Sequence, residues 1–198
     1  MKARKLLICT AAVAAMAASS LTQAQETGAG RSFLPGKGRG YVGLSLGGSR
    51  YSAPCGAASF SCDSTDTSVQ ISTGNMVGNF WGVELGYIDM GRMDRGGGTT
   101  KARGLNLSLM GKAPVWQSVG VFGKIGTTYG RTDTSAAPGS GVATGRDRGF
   151  GLAYGAGVSY DFTPRLSATL GWDSHDFHFA GSGRDQVRST SLGLQYKY

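Results

Sequence analysis

Ser191-Leu192-Gly193-Leu194-Gln195-Tyr196-Lys197-Tyr198 puts Leu192, Leu194, Tyr196 and Tyr198 on one parity and Ser191, Gly193, Gln195 and Lys197 on the other. Strict alternation marks a strand with one apolar and one polar face. The last residue is a large aromatic on the apolar face. A terminal strand frays in water and gains little from such a residue. A strand that closes a membrane barrel gains more, because an interfacial aromatic anchors it at headgroup level. Taken alone, the stretch also fits an ordinary amphipathic edge strand, so the rest of the chain has to decide.

Upstream, the alternation recurs. Strands are expected over Gly40–Tyr51, Asp66–Gly74, Asn79–Met90, Thr99–Lys112, Ser118–Thr132, Arg148–Phe162 and Leu166–Phe177. With the last stretch this makes eight, and roughly ten residues each suits a tilted bilayer crossing. Short connections (Asn75–Gly78, Ala113–Gln117, Thr163–Arg165) alternate with longer ones, one of them around Gly96-Gly97-Gly98. Short turns on the periplasmic side and long loops outside are the usual asymmetry, and an even count puts both termini in the periplasm. Phe177 and Phe179 fall on the wrong parity, which predicts a bulge or a departure from the membrane there.

Chemistry decides which parity faces out. One set holds Leu, Val, Ile, Trp, Tyr and Phe; the other is mostly Gly, Ser, Thr and Asn, with Glu84 and Lys124. A soluble barrel would bury the large apolar set and charge the other. Here the polar set is small and weakly charged, which suits a narrow filled lumen, so the apolar set is expected to face lipid. Lys101 and Arg103 share the outward parity of Leu105 nearer the outer rim, where they can snorkel to headgroups or meet lipopolysaccharide phosphates; a solvated rim explains them equally well. The fold class expected is all-β: an eight-stranded antiparallel up-and-down transmembrane β-barrel over residues 40–198.

The amino-terminal end reads as export. Lys2, Arg4 and Lys5 precede an apolar run from Leu6 to Ala18, and Thr22-Gln23-Ala24 supplies small residues three apart. This predicts a signal peptide, 1–24, cut after Ala24, and a short periplasmic leader, 25–39. No later run reaches eighteen apolar residues, so helical crossing is not expected. Gly is abundant, at 34 of 198 residues, and only 16% are charged, fewer than a soluble secreted domain usually carries. Cleavage would remove Cys9 and leave Cys55 and Cys62, an even pair that reads as a disulfide stiffening an exposed loop. No metal or cofactor site is read. The basic surplus is scattered rather than striped, which disfavours nucleic-acid binding.

The order polar, any, Gly, any, any, aromatic, any, terminal aromatic resembles the carboxy-terminal signal read by the barrel-assembly machinery. Ser191, Gly193, Tyr196 and Tyr198 fill it, with Tyr in place of the usual final Phe. Asn79-Phe80-Trp81-Gly82-Val83-Glu84-Leu85-Gly86-Tyr87-Ile88-Asp89-Met90-Gly91 resembles the third-strand signature of small OmpA/OmpX-like outer-membrane barrels, and Phe122-Gly123-Lys124-Ile125-Gly126 resembles their fifth strand. The likeness spans residues 40 to 198. No peptidoglycan-binding domain of the full-length OmpA type is expected.

Glu84 and Lys124 both point inward at similar heights. An unpaired charge in a narrow lumen is costly, so a pair or short network is predicted. The resemblance implies a plug or a gate. Strand seven is read as offering Ser167, Thr169 and Gly171 at that height rather than a switching Arg, which favours a plug. Asp173, Ser174, His175, Asp176 and His178 raise the reading of a lipid A-modifying enzyme. Neighbours on a strand point to opposite faces, however, so Ser174 and His175 are not placed as nucleophile and base. The functional expectation is a non-enzymatic integral protein, monomeric, with a structural or surface-interaction role set by its loops. Its partners are lipid and lipopolysaccharide, the barrel-assembly machinery, and host or surface ligands. The alternatives are the lipid A enzyme and a narrow pore.

Overall fold

Amphipathic strands that bury one face still leave two edges unpaired, and closing the sheet removes both. A computed structural model describes residues 40–53, 62–77, 79–181 and 183–198. The expected signal peptide, the leader and Cys55 lie outside the described residues. The elements are β1 (Gly40–Tyr51), β2 (Thr65–Met76), β3 (Trp81–Arg95), β4 (Gly98–Pro114), β5 (Val119–Thr134), β6 (Gly145–Asp161), β7 (Leu166–Phe179) and β8 (Gly183–Lys197). Each pairs antiparallel with its sequence neighbours, and β8 pairs back onto β1 to close the barrel.

The outside is apolar over a broad band. Leu44, Ile71, Leu85, Leu107, Ile125, Leu152, Leu170 and Leu194 all face out and are exposed. Leu107 is 51% exposed, whereas its neighbours Asn106 and Ser108 are buried inside. Tyr154 also faces out, its ring 5.9 Å from that of Trp172.

One end carries tight turns. Val77 donates to the Trp81 carbonyl, Val115 and Trp116 to Val119, and Phe162 and Thr163 to Leu166. The end of the chain lies there too, with the Tyr198 amide donating to the Gly40 carbonyl. The other end differs from the expectation of uniformly long loops. Gly96 and Gly97, both left-handed at φ +56° and +70°, close β3–β4 as a two-residue hairpin, a turn whose twist matches the strands it joins. The length assigned to a loop is therefore largely strand: β3 runs on to Arg95, past its expected end at Met90, while β4 begins at Gly98, next to its expected start at Thr99. The β5–β6 loop (135–144) leans on this hairpin through Ser135 N to Thr99 O and Ala137 N to Gly96 O, each 2.8 Å.

Of the two expectations for Phe177 and Phe179, a bulge or a departure from the membrane, the bulge is not found there. The β7–β8 register runs without a shift from Leu166↔Tyr196 to Phe179↔Gly183, so Phe177 and Phe179 sit in regular strand. Both point inward. The register shift falls in β3 between Asp89 and Arg92, where Gly91 is left-handed at φ +71°. Asp89 and Asp66 accept from the amides of Gly91 and Arg92 there and satisfy the backbone that the bulge frees.

A wholly hydrophilic filling is the third expectation the structure corrects. Toward the hairpin end the interior holds an apolar cluster of Tyr51, Ile88, Met90, Met93, Phe177, Phe179 and Val187, with Phe177 fully buried and one buried cation, Arg95, stacked 5.6 Å from the centre of the Phe179 ring. At the same levels the outward positions carry Arg103, Arg131, Arg148 and Arg188. The parity of chemistry inverts along the strands. Above the lipid-facing band the wall meets water and headgroups, and there a barrel follows the soluble rule of apolar inside and charged outside.

Candidate functional site

Four strands converge on one lysine. Lys124 of β5 lies 3.2 Å from Glu84 Oε1 of β3 and 3.1 Å from Asp173 Oδ1 of β7. Tyr41 of β1 donates its hydroxyl to Glu84 Oε2 at 2.5 Å. The ammonium also stands 5.8 Å from the centre of the Phe122 ring. The structure thus brings Glu84 and Lys124 together and adds two residues that sequence reasoning missed at this level. On β7 the expected Thr169 and Gly171 line the same small space beside Lys124, Ser167 does not, and Asp173 joins them. The registers Lys124↔Gly155 and Gly155↔Asp173 set the height of Asp173, and a count along β7 alone does not give it. Glycines on β6 clear the space. A Cβ at Gly155 would overlap the Asp173 carboxylate, and one at Gly157 the Phe122 ring.

Above this cluster lies a neutral layer. Asn106 Nδ2 donates to Thr128 Oγ1 at 3.0 Å and Ser108 donates to Asn106 Oδ1. His175 Nδ1 stands 2.8 Å from Thr128 Oγ1. His175 is buried in the lumen, whereas Ser174 has the opposite parity and its hydroxyl makes no hydrogen bond among the described residues. The strand keeps these two apart.

Little free space is left. About 20 Å³ remains beside Lys124, room for one water, and none beside His175. A cavity of about 320 Å³ opens only toward the tight-turn mouth, lined in part by Met76, Met110, Lys112 and Lys197. At that mouth Asp161 accepts from Lys197 at 2.8 Å and Ser167 at 2.7 Å.

Among the terminal residues, Tyr196 and Tyr198 face out, and Gly193 faces in, where a Cβ would overlap Ser45 Oγ and Thr169 Oγ1. Cys62 is exposed in the β1–β2 connection. Beside it the Asp63 carboxyl is held below the usual carboxylate range because the Thr65 hydroxyl and amide both donate to it.

Residues 7–198 match the model of the outer membrane protein beta-barrel domain. The chain belongs to that family. It is an outer-membrane β-barrel protein of a Gram-negative bacterium. It is similar to outer membrane protein A of Shigella flexneri, 29% identical over an alignment of 134 residues that covers 63% of this chain and 38% of that protein. Outer membrane protein A of Salmonella typhi is 28% identical over the same shares. The chain therefore spans well under half the length of the relatives it matches. Among solved structures, the barrel resembles Neisserial surface protein A with a TM-score of 0.63 and 17% identity, covering 80% of this chain and 97% of that one. Ail of Yersinia pestis aligns with a TM-score of 0.54 and 17% identity, covering 81% and 99%. OprG of Pseudomonas aeruginosa gives 0.54 and 17%, covering 83% and 99%. At that identity the likeness concerns the fold.

Proposed function

We propose that this barrel is a non-enzymatic, monomeric surface protein, plugged rather than conducting, whose hairpin-bearing rim contacts ligands outside the cell. The observation that carries the reading is the filled interior, from the Lys124 ion cluster through the His175 layer to the Phe177–Phe179 cluster. A protein with no continuous passage through its lumen works through its rim, and binding residues gather on connections held by a rigid scaffold. The tight turns and the end of the chain then face the periplasm. The barrel-assembly machinery reads Ser191, Gly193, Tyr196 and Tyr198 on β8, and Cys55 bridges Cys62 to stiffen the β1–β2 loop.

Ail has been solved in complex with the heparin analogue sucrose octasulfate. Polyanionic glycans are for that reason the first ligand class to test. The experiment is a binding screen of the full-length barrel in nanodiscs against sulfated glycans and matrix proteins, beside a variant with the β5–β6 loop replaced by a short turn. A ligand held by the natural protein and lost by the loop variant supports the reading; no ligand held by either sinks it.

A further inference from the structure

The strand registers align charge on the outer wall of β3 to β6. One row runs Asp89, Arg103, Arg131 and Arg148; the next row toward the hairpins runs Arg92, Lys101, Asp133 and Arg146. Six cations thus accompany two carboxylates on four neighbouring strands. Asp89 pairs with Arg103 at 2.9 Å, and Asp133 is shared by Arg131 at 3.2 Å and Arg146 at 2.7 Å. Lys101 and Arg148 make no ion pair among the described residues. Arg103, Arg131 and Arg148 stand abreast, and like charges facing across strands destabilise a sheet unless an anion sits between them.

Directly below lies a row of Tyr87, Leu105, Tyr129 and Phe150, all exposed, with the Tyr129 and Phe150 rings 4.9 Å apart. A cleft of about 340 Å³ crosses the boundary between the rows, with Tyr87, Leu105 and Tyr129 on its apolar side and Lys101, Arg103 and Arg131, together with Asp133, on its charged side. The opposite wall lacks this arrangement. There the row Ser174, Arg188, Arg50 and Thr65 has two cations, and the row below it, Trp172, Thr190, Gly48 and Thr67, has one large apolar side chain.

We infer that the β3–β6 wall is a binding site for a phosphorylated glycolipid of the outer leaflet. Arg103, Arg131, Arg148 and Lys101 take the phosphate, and the aromatic row lies against the acyl chains. Free phosphate has no chain for that row. A phosphodiester headgroup brings one negative charge, whereas a phosphomonoester brings about two, and guanidinium groups bind it bidentately. The inference rests on the hairpin end facing outward, as proposed above.

The test uses the full-length barrel in nanodiscs doped with bis-phosphorylated lipid A, dephosphorylated lipid A or phosphatidylglycerol, with retained lipid quantified by mass spectrometry after detergent extraction. Phosphorylated lipid A is expected to be retained at least about tenfold over the other two. The triple variant Arg103→Gln/Arg131→Gln/Arg148→Gln is expected to lose that preference, and Arg50→Gln/Arg188→Gln on the opposite wall to keep it. Folding is checked by heat-modifiable gel mobility. Arg148→Gln alone, which disturbs none of the ion pairs above, is expected to give a partial loss even if the triple variant does not fold. Equal retention of dephosphorylated lipid A, equal loss in both walls' variants, or release by inorganic phosphate would each overturn the site. A preference for phosphatidylglycerol would overturn it too, and would point to an inverted barrel. A failed search for rim ligands leaves these outcomes unchanged.

Discussion

Asp173 Oδ1 lies 3.1 Å from Lys124 Nζ, which also reaches Glu84 Oε1 at 3.2 Å. One cation therefore serves two carboxylates in an interior with almost no room for water. Removing the cation strands both acids, and removing one acid leaves the other paired. Lys124→Met is expected to destabilise the barrel by about 3–5 kcal/mol. Glu84→Gln is expected to cost less. Urea titration of barrel refolded into liposomes, followed by Trp fluorescence, measures both. Equal losses would show that Asp173 does not share the lysine.

Conduction tests the filled interior. The natural protein in a planar bilayer is expected to give no resolved current steps. Glu84→Ala/Lys124→Ala/Asp173→Ala is expected to stay silent as well, because the Phe177–Phe179 cluster still blocks the lumen above it. Steps from the natural protein would restore the pore reading.

The apolar cluster should hold the hairpin end together. Phe177→Ala is expected to cost about 3–5 kcal/mol, as truncation of a buried aromatic does. Phe150→Ala, on the outer face, is expected to cost less. The readout is the midpoint of the gel shift between folded and unfolded barrel.

Inversion of parity makes charge tolerance depend on height. Leu107→Arg places a cation in the lipid-facing band and is expected to cost about 2–4 kcal/mol. Lys101→Leu, nearer the hairpins, is expected to shift the same liposome folding equilibrium by much less. Similar costs at the two positions would place the lipid boundary elsewhere.

The proposed Cys55–Cys62 bridge predicts that the exported protein takes up no alkylating label until it is reduced. The loop it would close is short, so Cys55→Ser/Cys62→Ser is expected to cost toward the low end of about 0–5 kcal/mol in the same urea titration. Labelling without reductant would remove the bridge.

Much of the barrel could be read from alternation. Val42, Leu44 and Leu46 facing lipid, and Tyr41, Gly43 and Ser45 facing in, follow from a period of two and need no partner. Glu84 and Lys124 could be placed inward for the same reason. Asp173 was harder, because its height beside Lys124 depends on how β6 and β7 are staggered, and stagger is not written in either strand alone. The β3–β4 hairpin was also misread, since three glycines in a row look like a loop until two of them are seen to be left-handed in a two-residue turn. At Phe177 and Phe179 the parity alone left a bulge and a departure from the membrane equally open, and the unshifted β7–β8 register removes the bulge.

The order of residues by itself fixed which side chains share a face, how many strands there are and that the apolar face is the outer one across the band, because these depend on local period and on the cost of charge in hydrocarbon. Only the closed barrel decided which residues from different strands meet. It brought Tyr41, Glu84, Lys124 and Asp173 into one cluster and set Arg103, Arg131 and Arg148 side by side. Those contacts arise from the register between neighbouring strands, which is set when the sheet closes and every backbone group must find its partner at once.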